Sequence, residues 1–429
     1  MKNKSFGNIF KGDKVIWVVF FFLCMVSIIE VFSASSSLSY KGGDYWSPIL
    51  KHVGLIALGI FSMVIVLNIP CKYFKLFTAP LIAFSILTLL WVYFAGESTN
   101  GASRWISLLG IQFQPSEIAK GTLVLAVAQI LSAMQTENGA HPKSFKYIGL
   151  VTLVITFFIF LENFSTAALA FTTVLLMMFI GRVPKKYIGA TIGGVMLIAI
   201  LGVSFVMLFG EEEKEIPEKQ NLTEMSMPQQ EEETSGGVFH RAGTWKGRIK
   251  KFFDNTEVAP KDFDLDKDGQ IGHSNIAIAS SDIIGKGPGN STERDFLSQA
   301  FSDFIYSIII EELGIIGAVL VALFYIILLY RTGRIANRCE NSFPAFLAMG
   351  LALLLVLQAL FNMLVSVGLA PVTGQPLPLI SKGGTSTIIN CIYIGVILSI
   401  SRSARQRKDS THESGNKADA KNLATFARQ

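Results

Sequence analysis

Ten runs of apolar residues, each close to the length that crosses a lipid bilayer, constrain the fold of this chain most strongly. The runs cover residues 15–35, 50–69, 75–95, 117–134, 145–161, 164–181, 187–209, 304–330, 344–366 and 385–401. A membrane-spanning helix needs about 20 predominantly apolar residues. Only 16% of the 429 residues are charged, against about 25% in soluble domains. The sequence therefore predicts an all-α polytopic membrane protein with about ten transmembrane helices.

The lysine and arginine residues of the short connections predict how these helices are oriented. If the N-terminus is cytoplasmic, the inner connections are rich in basic residues, whereas the outer short loops hold little beyond Lys41, Arg104 and Lys382. Basic residues are enriched on the cytoplasmic side of membrane proteins. The sequence thus predicts that both termini are cytoplasmic. The net charge of +5 follows from this bias and does not indicate nucleic-acid binding.

The predicted spans divide the chain into five parts. These are a cytoplasmic N-terminus (1–14), helices one to seven (15–209), one long extracytoplasmic loop (210–302), helices eight to ten (303–401) and a basic cytoplasmic tail (402–429). The loop begins with the acidic run Glu211–Glu233, whose composition does not favour a packed core. Residues 239–253, FHRAGTWKGRIKKFF, predict either an amphipathic helix on the membrane surface or a solvated basic helix.

Two short motifs further along this loop each have two interpretations. The stretch Asp264–Asn275, DLDKDGQIGHSN, matches the first half of a calcium-binding EF-hand loop, but Asn275 stands where a bidentate Glu is needed. A solvated acidic turn is the favoured interpretation. The stretch SSDIIGKGPGNS holds Gly285, Gly287 and Gly289, whose backbone N–H groups could hold a phosphate. A structural turn is the favoured interpretation of this motif as well.

The stretch NGASRWISLLGIQFQPSEIAK precedes the fourth span and ends in a helix start. Pro115 and Ser116 suit the first helical positions, with Glu117 in the first turn and Lys120 one turn later. One interpretation is an ion pair inside the helix between Glu117 and Lys120. The other is that Arg104 or Lys120 contacts an anionic head group of a substrate.

The stretch PVTGQPLPLISKGGTS (371–386) precedes the last span and cannot form a regular helix. It contains three prolines and three glycines, and proline breaks helices because it lacks an N–H and clashes with the preceding turn. Non-helical backbone at membrane depth occurs only where it is buried in protein or lines a cavity. We therefore expect Lys382 to lie near such a cavity.

Three carboxylates stand at the start of the eighth span, in SDFIYSIIIEELG. Asp303 is at its mouth, and Glu311 and Glu312 lie inside the span. A charge at the bilayer centre costs about 3 kcal/mol or more, so such residues usually have a function or a partner. We expect Glu312 to be a buried structural acid paired with a cation or a hydroxyl, and Asp303 to be available for chemistry.

Taken together, these motifs resemble those of the SEDS (shape, elongation, division and sporulation) family of the RodA/FtsW type, nearer to its division branch. The matching pieces occur in the family's order and are FSASS, NGASRWI with QPSEIAK, STA at 165–167, GRI at 247–249, DGQ with IAI at 268–278, GKGPGNS, SDFIYSIIIEELG, QALFNM and PVTGQPLPLISKGGTS. They span nearly the whole chain, and the resemblance implies a peptidoglycan glycosyltransferase that polymerises lipid II.

The resemblance also implies roles for single residues. Asp303 matches the catalytic acid. The residues implied to contact substrate are Arg104, Lys120, Arg248, Lys382, Gln270 and Ser274, and those implied to be structural are Glu117, Glu312, Gly383 and Gly384. The chain departs from the family's pattern at three positions. These are Asn163, where an acid is common, His273, where a second glutamine is common, and Lys382, where a tyrosine is common.

The implied reaction moves a sugar from undecaprenyl diphosphate to a sugar 4-hydroxyl with inversion at the anomeric carbon. Asp303 would be the general base. Cations would neutralise the diphosphate, and a divalent ion such as Mg²⁺ or Mn²⁺, with Asp303 as a possible ligand, would suit phosphate oxygens. No organic cofactor is expected.

The implied partners are lipid II, the growing glycan strand, a class B penicillin-binding protein with transpeptidase activity, other division proteins and the membrane. The implied location is the bacterial cytoplasmic (inner) membrane, at the division septum. Three alternatives stay open at this point. They are a lipid II flippase or other transporter, a non-enzymatic scaffold, and an elongation-type polymerase.

The predicted topology can be tested by cysteine labelling. With a single cysteine at Ser235 in the long loop, a membrane-impermeant reagent should label the protein in intact spheroplasts. The matched variant with its cysteine at Ser410 in the tail should be protected, because the tail is predicted to be cytoplasmic. The reverse pattern would overturn the topology.

We also predict that the acidic run is dispensable for chemistry, because it is hydrophilic and resembles an insertion into the family's pattern. Deleting Glu212–Ser235 should leave the rate of glycan polymerisation within a few-fold of the wild type. A complete loss of activity in a well-folded deletion variant would contradict this prediction.

Overall fold

The structure is a computed structural model, which describes residues 11–42, 46–95, 97–99, 102–108, 111–209, 265–297 and 300–404. The chain forms two compact units, of which one comprises Met1–Ile188 with Asp264–Gln429 and the other comprises Gly189–Phe263. The acidic run, residues 239–253 and Arg248 lie outside the described residues. The described residues belong to the first unit, apart from residues 189–209.

Eleven helices account for most of the described residues. They are α1 (Lys14–Gly42), α2 (Trp46–Asn68), α3 (Phe74–Ala95), α4 (Pro115–Ala133), α5 (Ser144–Glu162), α6 (Phe164–Ile180), α7 (Lys185–Phe209), α8 (Leu265–Ala279), α9 (Ile305–Ala336), α10 (Ser342–Ser366) and α11 (Thr385–Ala404). Eight of them are long and apolar enough to cross a membrane, and α6 is apolar but shorter, among the residues described. The prediction of a helical polytopic membrane protein is confirmed, while the count of ten spans stays a prediction.

Helices α5 and α6 show how one polar residue separates two apolar runs. Asn163 lies between them with an extended backbone, and its side-chain oxygen accepts hydrogen bonds from the N–H groups of Ser165 and Thr166 at 2.9 and 3.4 Å. These N–H groups have no partner inside the helix, so an Asn cap stabilises the helix start. The two runs are therefore separate helices.

Two small antiparallel sheets add to the predicted helical fold. Strands β1 (Glu97–Thr99), β2 (Ala102–Leu108) and β3 (Ile111–Phe113) form the first, in that order, and β4 (Gln135–Thr136) pairs with β5 (Gly139–Ala140) in the second. These strands were not predicted from the sequence. In the first sheet, Ser103 pairs with Ser98 and Trp105 pairs with Glu97, so Arg104 is the extra residue of a β-bulge.

The centre of the bundle is formed by α4, α10 and α11, whose spanning segments are 67%, 67% and 72% buried, compared with 22% for α2 and α3. At one end of the bundle, Arg331 Nε lies 2.8 Å from Asp13 Oδ2. At the other end lie the start of α9, the end of α10 and the non-helical stretch 367–384. We call the part of this stretch from Pro371 to Gly384 the C-terminal loop.

The stretch that resembles an EF-hand loop is helical. Its residues from Leu265 to Asn275 belong to α8, which continues to Ala279. A calcium loop of this type turns sharply at its glycine so that alternate side chains converge on the ion, and a continuous helix does not provide that geometry. The expectation of an acidic turn is therefore wrong, and the backbone also argues against the calcium-binding alternative.

Helix α9 is interrupted at Gly314, whose φ is +69° and ψ is −173°. In a continuous helix the carbonyl of Glu312 would accept a hydrogen bond from Ile316 N–H. Here Gly287 N–H donates to that carbonyl at 2.9 Å, and Ile316 N–H donates to Ile283 O at 3.3 Å. Residues 283–292, which we call the glycine-rich loop, thus replace hydrogen bonds that the break removes, as buried backbone requires.

We predict that Gly314→Ala destabilises the protein because two constraints act at this position. The backbone conformation is one that only glycine adopts readily, at a cost of about 1–3 kcal/mol for other residues. A Cβ atom would also lie 2.3 Å from Ile283 O. The midpoint of thermal unfolding should fall clearly. The matched control is Gly149→Ala in α5, where a Cβ meets nothing within 4 Å and stability should not decrease.

Candidate functional site

Asp303 lies in the turn that leads into α9, two residues before the helix begins. Its side chain is partly buried, and Ser302 Oγ donates a hydrogen bond to Asp303 Oδ1 at 3.0 Å. The helix that follows is deeply buried, with Phe304, Ile305 and Ile308 inaccessible to solvent. Asp303 therefore stands at the boundary between the buried bundle and the end of the bundle that the sequence predicts to be outside.

The C-terminal loop and α10 hold the backbone on either side of this acid. Three consecutive carbonyls, those of Phe301, Ser302 and Asp303, accept hydrogen bonds from Lys382 N–H at 2.9 Å, Ser381 Oγ at 2.6 Å and Asn362 Nδ2 at 2.8 Å, respectively. We call residues 301–303 the mouth segment. Its position is thus determined by residues that lie between 59 and 81 positions later in the chain.

Lys382 lies in the C-terminal loop, beside the mouth segment. Its Nζ is 4.9 Å from the centre of the Phe301 ring, a distance at which a cation is attracted by an aromatic face. Burial, and then the nearby Lys51, lower the pKa of Lys382. A site with two neighbouring cations at a low-dielectric boundary favours an anion, because an anion relieves both effects.

Lys51 was not singled out by the sequence analysis. It lies in the first turns of α2 and is exposed, and its neighbour His52 is buried. His52 Nε2 is 2.9 Å from Ser27 Oγ, which also donates to Ile380 O at 2.6 Å. This contact holds α1, α2 and the C-terminal loop together and places Lys51 close to Lys382.

Lys120 occupies a different place from the one that its implied role requires. It is 1% exposed, and its Nζ lies 2.8 Å from both Glu117 Oε1 and Gln358 Oε1. Gln358 in turn donates to Pro376 O at 3.0 Å. The structure thus favours the internal ion pair over contact with a head group. Through Gln358 of α10, Lys120 also connects α4 with the C-terminal loop.

Glu311 is enclosed by the glycine-rich loop. Its carboxylate accepts hydrogen bonds from Lys286 Nζ at 2.6 Å, from Thr292 N–H at 3.0 Å and from Thr292 Oγ1 at 2.9 Å, and it also contacts the Ser291 hydroxyl. The side chain is completely buried, and its partners are a cation and several hydrogen-bond donors. Such an acid is well stabilised where it lies.

Glu312 is held in the same way and has no exposed surface. Gly289 N–H and Ser291 N–H donate to it at 3.0 and 3.3 Å, Ser33 of α1 contacts it, and Arg294 Nη1 lies 4.0 Å away. The partners are a hydroxyl and a cation. The N–H groups of the glycine-rich loop therefore bind two carboxylates of the protein itself, which supports the structural interpretation of that loop over a phosphate site.

The residues of α8 that were implied to contact substrate lie at a helix junction. Ser274 is 1% exposed, and its hydroxyl contacts Ser307 Oγ at 2.5 Å and donates to Ser366 O at 2.7 Å. Gln270 is partly buried near the start of the described part of α8. His273 lies 2.7 Å from a carboxylate oxygen of Glu293. The described contacts of Ser274 join α8, α9 and α10 and involve no open site.

Gly383 and Gly384 form the turn into α11. Gly384 has a φ of +54°, and a Cβ atom on Gly383 would lie 2.1 Å from Ser386 Oγ. Ser386 Oγ donates to Gly383 O at 2.6 Å and closes the turn. The backbone of Arg104 belongs to β2, but its side chain is not among the described parts of the chain. Arg248 lies outside the described residues altogether.

No group of three or more His, Cys, Asp or Glu side chains in the described parts of the chain is arranged to hold a metal ion. A dedicated protein cage is therefore not formed by those residues. Mg²⁺ is often bound by only one or two carboxylates together with substrate phosphates, and Asp303 supplies one carboxylate. A divalent ion at Asp303 stays a prediction.

Sequence comparison identifies the family. The profile of the FtsW, RodA and SpoVE family, described as "Cell cycle protein", matches residues 13–406. A protein of Geobacter sp. (strain M18) named "Probable peptidoglycan glycosyltransferase FtsW" is 30% identical over 398 residues, which cover 92% of this chain and 97% of that protein. A Haemophilus influenzae protein of the same name is 30% identical over 403 residues, covering 92% and 91%.

Two solved structures share the fold. A chain from a structure described as "Structural coordination of polymerization and crosslinking by a peptidoglycan synthase complex" has a TM-score of 0.67 and 22% identity, covering 92% of this chain and 99% of that one. The rod shape determining protein RodA of Thermus thermophilus has a TM-score of 0.62 and 20% identity, covering 92% and 97%. From the profile match and the relatives of 30% identity, we conclude that this chain belongs to the FtsW/RodA/SpoVE family of cell cycle proteins.

Proposed function

We propose that this protein is a division-type peptidoglycan glycosyltransferase that polymerises lipid II into glycan strands. Its relatives of 30% identity along nine-tenths of the chain are named "Probable peptidoglycan glycosyltransferase FtsW". The observation that supports the mechanism is that the three acids have different surroundings. Glu311 and Glu312 are enclosed by the glycine-rich loop, whereas Asp303 stands partly buried at the mouth beside Lys382.

In the proposed reaction, Asp303 acts as the general base. The 4-hydroxyl of the acceptor sugar transfers its proton to the Asp303 carboxylate while its oxygen forms a bond to the anomeric carbon of the donor. The bond between that carbon and the diphosphate oxygen breaks, and undecaprenyl diphosphate leaves with the electron pair. A single carboxylate is enough for this step because the configuration inverts and a diphosphate leaving group needs charge neutralisation more than protonation.

Lys382 is the proposed partner of the diphosphate. Its pKa is lowered by burial and by Lys51, and a bound diphosphate would oppose both effects by stabilising the protonated amine. Arg104 and Arg248 are further candidates from the family's pattern. If Mg²⁺ or Mn²⁺ binds at Asp303 and the phosphates, it would supply additional positive charge to the leaving group.

A lipid II flippase is the second candidate, and the interrupted helix α9 is the observation that favours it. Broken helices with polar residues at mid-membrane depth mark the substrate sites of many transporters. In this chain the break is filled by the glycine-rich loop, and both acids near it have protein partners. The break thus serves the fold, and polymerisation is the better-supported function.

The proposed partner is a class B penicillin-binding protein with transpeptidase activity, together with other division proteins. The support is that a chain of the same fold comes from a synthase complex that coordinates polymerization with crosslinking. The proposed location is the bacterial cytoplasmic membrane at the division septum, with both termini in the cytoplasm and the mouth segment outside. An elongation role is the alternative, and it would show as a cell-shape defect on depletion.

We predict that Asp303→Asn reduces polymerisation to a small residual rate without unfolding the protein. Asparagine keeps the size and hydrogen bonding of aspartate but cannot accept the proton, and loss of a general base costs about 10²–10⁴-fold in rate. Asp303→Glu should retain little activity because the carboxylate is displaced by one methylene. The measurement uses purified protein with lipid II, with and without the transpeptidase, and glycan strands are separated on a gel.

The matched control for this prediction is Asp295→Asn. Asp295 also lies in the predicted outer loop, but its side chain is 52% exposed and its ion pair is with Arg294, so its loss should leave polymerisation unchanged. Glu311→Gln should instead lower thermal stability more than rate. Near-normal polymerisation by Asp303→Asn would show that the base is assigned wrongly, and retained lipid II transport across vesicles would then favour the flippase.

A further inference from the structure

The mouth segment has no secondary structure of its own to hold it. Helix α9 begins at Ile305, and the first carbonyl that accepts a hydrogen bond inside the helix is that of Phe304, from Ser307 N–H at 3.0 Å. The carbonyls of residues 301–303 precede that position and take no part in the helical hydrogen bonds. Among the described residues, the donors to these three carbonyls are Asn362 of α10 and Ser381 and Lys382 of the C-terminal loop, and they restrain where Asp303 stands.

Asn362 is the donor to Asp303 itself. Its Nδ2 donates one hydrogen bond to Asp303 O and a second to Gln375 O, both at 2.8 Å, and the residue is 1% exposed. The orientation of the amide is determined by chemistry, because the opposite orientation would direct Oδ1 at two carbonyl oxygens. Asn362 thus joins the mouth segment to the C-terminal loop through a single NH₂ group.

Ser381 adds a second connection between the same two segments. Its hydroxyl donates to Ser302 O at 2.6 Å and accepts a hydrogen bond from Leu377 N–H at 2.8 Å. The next residue is Lys382, whose N–H donates to Phe301 O at 2.9 Å. Because Lys382 and Ser381 are adjacent, the hydrogen bonds that restrain the mouth segment also restrain the backbone of Lys382, whose amine lies 4.9 Å from the centre of the Phe301 ring.

We propose that Asn362 and Ser381 are positioning residues for the glycosyl transfer. They hold the Asp303 carboxylate and the Lys382 amine in the positions from which the two groups act on the bound substrate. This inference rests on the proposed function of Asp303. It extends that function by assigning a role to a buried amide and a buried hydroxyl that do not touch the reacting atoms. A displacement of about 1 Å at a catalytic group can cost about 100-fold in rate, so small losses of restraint should be visible kinetically.

The test compares initial rates of lipid II polymerisation in three variants of the full-length protein with its transpeptidase partner. Asn362→Leu, which keeps the volume but removes both donors, should lower kcat about 10- to 100-fold with little change in KM. Ser381→Ala should lower kcat about 3- to 10-fold. The matched control is Ser399→Ala, because Ser399 is equally buried and also donates to a carbonyl at 2.6 Å, that of Ile69 at the opposite end of the bundle. Its kcat should be unchanged.

A double-mutant cycle separates positioning from a general structural role. In the Asp303→Asn background, whose residual rate is followed over long incubations, adding Asn362→Leu should cause a smaller loss than it causes in the wild type, since the base is gone and only the Lys382 amine is left to position. An equal loss in both backgrounds, or wild-type kcat in Asn362→Leu and Ser381→Ala, overturns the inference. If Asn362→Leu does not fold, Ser381→Ala carries the same cycle. Wild-type activity of Asp303→Asn alone would overturn the proposed base as well, whereas loss there with full activity in the other two overturns only the positioning role.

Discussion

The hydrogen bonds between the glycine-rich loop and the interrupted turn of α9 are the interaction on which the rest of this structure depends. The break at Gly314 removes two helical hydrogen bonds at membrane depth, where no water replaces them. Two carboxylates lie just before the break, and a charge at that depth costs about 3 kcal/mol or more if it has no partner. The glycine-rich loop replaces the lost hydrogen bonds and also provides partners for the carboxylates, because its N–H groups donate to the carbonyls and to the carboxylates of Glu311 and Glu312.

These hydrogen bonds help to determine the position of the first part of α9 and of the mouth segment before it. Between Ile305 and Gly314 the helix is short and almost entirely buried, with Tyr306 OH donating across the break to Ala318 O at 3.2 Å. Its N-terminal end is therefore placed by tertiary contacts. Asp303 is held through its backbone carbonyl by Asn362, and Lys382 is held through its own N–H by Phe301. The positions of the acid and of the cation thus both depend on a segment that is neither helix nor strand.

Much of the fold could be predicted because the relevant signals are local. Hydropathy and length are sufficient to place the spans, and the observed helices differ from the predicted runs mainly at their ends. Pro115 begins α4 and Asn163 separates α5 from α6, since caps and prolines act on residues within one turn. The C-terminal loop follows from its prolines in the same way. Asp303 was predicted as the catalytic acid from its motif, which says nothing of the residues that hold its backbone.

The predictions that were wrong or incomplete depend on contacts between distant residues. The stretch that resembles a calcium loop is instead a helix, and its Ser274 joins it to α9 and α10. Asn362 is part of the motif QALFNM, and a polar residue in an apolar span signals a function, but its two acceptors could not be read from that motif.

The sequence by itself determined that this chain crosses the membrane repeatedly, where its apolar helices lie along the chain, and which family of enzymes it resembles, because each of these depends on residues close together in the chain. Only the tertiary structure decided which polar groups are partners. Ser33 meets Glu312 across 279 positions and Lys120 meets Gln358 across 238. A buried lysine or glutamate needs a partner. The folded bundle determines whether another side chain is that partner or whether the group is left to bind a substrate.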